Sequence, residues 1–101
     1  MTNTITRINA QFSNLVALRD GEYLTGDSVA TISTINAEDS YTVVRSIRLG
    51  DIAEDDGDHD NFRDAVNETL SDIAGEIAAQ HGLAIIDTDG DEQTFWAVRP
   101  I

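Results

Sequence analysis

The chain has 101 residues, with 19 acidic side chains against six basic ones, all of them arginine, and a formal net charge of −13. That length holds one modest hydrophobic core, so residues 1–101 are expected to form one domain. The negative field disfavours direct binding to nucleic acid or anionic membranes and favours basic protein surfaces, and the absence of cysteine excludes disulfide and cysteine–metal frameworks.

Thr2–Ile8 carries the β-formers Thr4, Ile5, Thr6 and Ile8, and reads as a short strand. Its N-terminus, Met-Thr-Asn-Thr-Ile-Thr-Arg, lacks the basic and apolar regions of a signal peptide. No apolar run reaches the roughly 18–20 residues of a membrane span, so a soluble, cytoplasmic protein is expected. Residues 9–25 admit two readings. Phe12, Leu15, Val16 and Arg19 fit a helix capped by Asn9 and ending near Gly21, the reading we favour. The other is a hairpin pairing Leu15–Arg19 with Glu22–Thr25 across Asp20-Gly21.

Ser28–Ile35 and Tyr41–Leu49 are rich in β-branched residues and flank the polar connection Asn36–Ser40, which predicts an antiparallel hairpin. Strict alternation would place Tyr41, Val43, Ile47 and Leu49 on one face of the second strand, with Arg45 among them. An acidic loop follows. Between positions 51 and 64 lie Asp51, Glu54, Asp55, Asp56, Asp58, Asp60 and Asp64.

From Phe62 the apolar residues recur at Ala65, Val66, Thr69, Leu70, Ile73, Ala74, Ile77 and Ala78, the stripe of an amphipathic helix over Phe62–His81. Asp60 is placed to cap its start and Gly82 to end it in a left-handed conformation. Arg63, Asp64, Asn67, Glu68, Ser71, Asp72, Glu76 and Gln80 fall on the polar side. Leu83–Ile86 and Thr94–Arg99 then form a second hairpin across residues 87–93, stopping at Pro100. The order is an N-terminal segment followed by ββαββ, an α+β domain with an antiparallel sheet packed on one amphipathic helix.

No motif assigns a chemistry. Asp56, Asp58 and Asp60 match the first ligand positions of a calcium loop, but Asn61 stands where the turn glycine belongs and Asn67 where the bidentate glutamate belongs. A frame starting at Asp87 places Asp89 and Asp91 well but fails at Glu92 and Val98. His59 and His81 lie at opposite ends of the helical segment, too far apart to share a metal, and His59 reads as a solvated loop residue. The carboxylates sit in runs without the apolar surroundings that would tune a general acid, and no phosphate loop or nucleophile constellation is present. No cofactor, metal or catalytic residue is assigned, and a binding role is expected instead of catalysis.

The acids themselves are the functional lead. Glu68, Asp72 and Glu76 continue from Asp64 at four-residue steps, and such carboxylates stand roughly 6 Å apart on a helix, comparable with about 7 Å between phosphates along a DNA strand. In size, charge and lack of motifs the chain resembles the small phage-encoded anti-restriction and anti-CRISPR proteins that mimic DNA. That resemblance implies an inhibitor of a basic, nucleic-acid-handling protein in the cytoplasm of a host cell. The expected partner surface is Asp51, Glu54, Asp55, Asp56, Asp58, Asp60, Asp64, Glu68, Asp72 and Glu76. The alternative is a haloadapted structural or assembly protein whose acidity serves solubility alone, and a homodimer stays open under either reading.

Overall fold

The computed structural model describes residues 4–19, 21–88 and 95–101. One helix, α1 (His59–Gln80), lies on a five-stranded antiparallel sheet. The sheet strands are β1 (Ile5–Ser13), β4 (Val29–Asn36), β5 (Tyr41–Arg48), β6 (Leu83–Thr88) and β7 (Phe95–Pro100). Two further strands, β2 (Val16–Leu18) and β3 (Gly21–Tyr23), form a separate two-stranded ribbon. The α+β class and both long hairpins follow the sequence reading.

The sheet order is β5-β4-β1-β7-β6. The N-terminal strand is therefore central and joins the two hairpins. It pairs with β4 through most of its length and with β7 through Arg7–Asn9. This overturns the helix expected over residues 9–21. Ile8, Asn9 and Ala10 are buried, and beyond them exposed Gln11 and Ser13 flank half-buried Phe12, with the backbone paired to β4 throughout. β1 ends at Asn14, whose φ is 59°, and the hairpin alternative holds in a shortened form, with Val16 opposite Tyr23 and Leu18 opposite Gly21. Asp20 of the expected turn dipeptide, and the whole connection between β6 and β7 (residues 89–94), lie outside the described residues.

The core forms where the apolar stripe of α1 meets one face of the sheet. Phe62, Val66, Leu70, Ile73 and Ile77 cluster with Ile8, Ala10, Ala30, Ile32, Leu83, Trp96 and Val98. Trp96 is fully buried, its ring the largest in the core. The helix starts earlier than expected. Asp58, not Asp60, is the N-cap, with its Oδ1 accepting from the backbone N–H groups of Asp60 (3.1 Å) and Asn61 (3.2 Å). At the other end Gly82 takes φ 70°, and His81 Nδ1 lies within hydrogen-bond distance, 2.8 Å, of the Ile77 carbonyl.

A bulge changes the faces expected for β5. Ile32 pairs with Arg45 but Ser33 pairs with Val43, leaving Val44 as the extra residue. Ile47 and Arg45 therefore share the face of Ala30 and Ile32, whereas Val43 and Tyr41 pass to the opposite face, where they are 62% and 52% exposed. Leu49 leaves the strand for a short 3-10 turn and is buried. Arg45 is exposed, which removes the desolvation cost of a buried cation. The bulge and the charge both blunt an edge strand that would otherwise invite pairing.

The loops at one end are tied together. Leu49 and Gly50 donate backbone N–H groups to Ser28 O and Gly26 O at 2.8 and 2.9 Å. Arg48 bridges Asp27 (3.0 Å) and Asp51 (3.4 Å). The Asp27 hydrogen bond, aided by the charges of both acids and opposed by desolvation, raises the Arg48 guanidinium pKa above its usual value. No helix among the described residues is long and apolar enough to cross a membrane.

Candidate functional site

All ten carboxylates expected to meet a partner are exposed, but they divide into two groups. Four belong to the architecture of the loop. Asp51 pairs with Arg48; Asp55 accepts from Gly26 N–H (3.2 Å) and Gly57 N–H (3.1 Å); Asp56 accepts from Asp58 N–H (3.1 Å); Asp58 caps α1. The run of aspartates at two-residue steps is thus a series of side-chain turns leading into a capped helix. Part of the acid density comes from this local geometry.

Glu54, Asp60, Asp64, Glu68, Asp72 and Glu76 make no ion pair or side-chain hydrogen bond among the described residues. The last five occupy successive i, i+4 positions on α1. At 3.6 residues per turn each step advances about 6 Å along the axis and about 40° around it. On an ideal helix neighbouring carboxylates then lie about 6–7 Å apart on a gentle right-handed path that crosses the solvent side. Glu76 is consequently turned well away from Asp60, and the acids form a spiral, not the single straight stripe expected from spacing alone.

The opposite side of the helix supplies the packing that holds this path in place. Asn67, expected on the polar side, is only 8% exposed, and its Oδ1 is buried without a hydrogen-bond partner among the described residues. Ser71, Arg63 and Asn67 border the same open face as Asp60, Asp64, Glu68 and Asp72. Arg63 is the one cation among the described residues that border it.

A second feature was not legible in the sequence. Where α1 begins, the β2–β3 ribbon folds against it, and the Tyr23 and His59 rings stack with centroids 4.6 Å apart at 21°. His59 is therefore a half-buried helix residue, not the solvated loop residue expected. Its Nδ1 is buried and makes no hydrogen bond among the described residues. Beside this stack lies a cavity of about 270 Å³, with Phe12, Leu15 and Leu24 as apolar walls and Glu22, Asp60 and Arg63 at its polar side. Asp56, Asp58 and Asp60 gather around Tyr23 and His59 in a shallow depression close by. Tyr23 and His59 are far apart in the chain, and no local periodicity signals their contact.

Among the described residues no group of three or more His, Asp or Glu side chains is placed to hold a metal ion. No protein-family model, curated protein or solved structure matches this chain.

Proposed function

We propose that this protein binds a basic, nucleic-acid-handling protein and blocks its nucleic-acid groove, with the exposed side of α1 as a surrogate for a phosphate strand. The observation that carries the reading is the unpaired series Asp60, Asp64, Glu68, Asp72 and Glu76. Like charges at i, i+4 destabilise a helix by about 0.2–0.5 kcal/mol per pair, so four consecutive pairs cost about 1–2 kcal/mol. Arg63 and the helix dipole at Asp60 offset only the first turns of that path, whereas a cationic groove would offset all of it. The ideal-helix spacing of about 6–7 Å is also close to that of phosphates along one strand. Finer assignments, to a DNA-mimicking anti-restriction or anti-CRISPR protein acting in a host cytoplasm, rest on the resemblance in size and charge.

A haloadapted structural or assembly protein is the second reading, favoured by the complete replacement of lysine by arginine across the chain. Solubility alone gives no reason for Leu15, Val16, Leu18 and Val43 to stand 36–62% exposed.

The test is competition. Basic nucleic-acid-binding proteins captured on the immobilised chain at low salt are challenged with duplex DNA. Displacement by DNA is expected, together with loss of capture by the double variant Glu68→Gln/Asp72→Asn. The equal-charge control Glu38→Gln/Asp87→Asn alters exposed residues outside α1 and should retain capture. Equal losses in the two variants would show that net charge alone matters, and simultaneous binding of DNA and chain would refute groove blocking.

A further inference from the structure

We infer that the cavity between the β2–β3 ribbon and the first turns of α1 is an anchor pocket for an arginine side chain of the partner. The inference deepens the reading of a basic partner and rests on it. At about 270 Å³ the cavity lies at the lower edge of the roughly 300–1,000 Å³ of small-molecule sites and has room for a single side chain. Its chemistry is divided. Phe12, Leu15 and Leu24 present apolar surface to a long aliphatic stem, and the stacked Tyr23–His59 pair supplies a planar aromatic wall. Glu22 and Asp60 place carboxylates at the same opening.

One residue type fits all three features. Arginine lays methylenes on apolar surface, stacks its planar guanidinium on aromatic rings and forks two N–H groups onto a carboxylate. Lysine fits the stem and the charge but not the planar stacking. An aliphatic side chain would leave the carboxylates without a partner. A second copy of this chain brings the same net charge of −13 and is a poor occupant.

The ribbon gives a further reason for an occupant. β2 and β3 have three residues each, and a lone two-stranded ribbon is marginal in water. Leu15, which lines the cavity, is 36% exposed, so a docked side chain would cover apolar surface as well as pair charge. The pocket also adjoins Asp60, where the acidic path along α1 begins, so one partner could fill the pocket and follow the spiral.

The experiment maps backbone and side-chain resonances of the full chain by heteronuclear NMR. The protein is titrated at about 0.1 M salt with acetylated hexa-arginine and, separately, hexa-lysine. Hexa-arginine is expected to shift Tyr23, Leu24 and His59 saturably, and hexa-lysine to shift the same residues several-fold more weakly. Glu22→Gln, an exposed substitution, should weaken the arginine peptide about 3–10-fold, against less than about 2-fold for the equal-charge change Glu68→Gln. Arg63→Gln, which removes the cation at the rim, should strengthen binding about 2–5-fold. Equal pocket shifts with both peptides would overturn arginine selection. Shifts confined to residues 64–76 would overturn the pocket while leaving the acidic helix face as the binding surface. No shifts with either peptide would overturn both.

Discussion

Neutralising the acidic path should make the protein more stable while it loses its partner. The perturbation is Asp64→Asn, Glu68→Gln, Asp72→Asn and Glu76→Gln together, keeping Asp60, which sits in the first turn where the helix dipole favours an anion. All four substituted side chains are exposed, so no packing is lost, and Asn and Gln have helix propensities close to those of the acids they replace. The change removes the like-charge pairs 60–64, 64–68, 68–72 and 72–76, about 0.2–0.5 kcal/mol each, or about 1–2 kcal/mol in total at low ionic strength. For a domain of this size that corresponds to a rise in Tm of about 4–16 °C. Thermal melts of wild type and variant at about 0.01 M and about 1 M KCl provide the assay, because the Debye length falls from roughly 30 Å to 3 Å between them. The gain should be present at low salt and shrink to a few tenths of a kcal/mol at high salt. No gain at low salt would show that the five carboxylates do not repel along one path. An equal gain at both salts would assign it to something other than charge.

Leu70→Ala removes a fully buried side chain between α1 and the sheet and should cost about 2–5 kcal/mol in urea unfolding; a loss of a few tenths would mean that this stripe is not the core. Asp58→Ala should cost about 1 kcal/mol, while Asp60→Ala, whose carboxylate makes no hydrogen bond among the described residues, should cost at most a few tenths; the reverse ranking would restore Asp60 as the cap. Gly50→Ala places a methyl 2.8 Å from Gly26 O and from Arg48 Nη1 where the loops are tied together, and should destabilise by about 1–3 kcal/mol. A Gly50→Ala protein as stable as wild type would show that this junction yields freely.

The amphipathic helix and the two long hairpins were legible because each announces itself locally. The 3.6-residue recurrence from Phe62 to Ala78, the left-handed Gly82, and the β-branched runs around Asn36–Ser40 all act over a few residues. The acidic surface was legible for the same reason, since charge is a property of composition and exposure follows from the polar side of the helix. The cap was misplaced by two residues because a loop with an aspartate at every second position offers several equivalent acceptors, and only the backbone path selects Asp58. Tertiary pairing decided the rest. Residues 9–13 have neither a decisive helical nor a decisive strand pattern, and β4 alongside them supplies the hydrogen bonds that settle the matter. The bulge at Val44 reverses the faces of β5 without any glycine or proline to mark it. The pocket needs Phe12, Tyr23 and His59 from three separate segments, brought together only when the ribbon folds onto the start of α1. Local periodicity fixes an element and the side it buries, but contacts between distant segments depend on which of several compatible pairings buries the most surface, and that is a property of the whole chain.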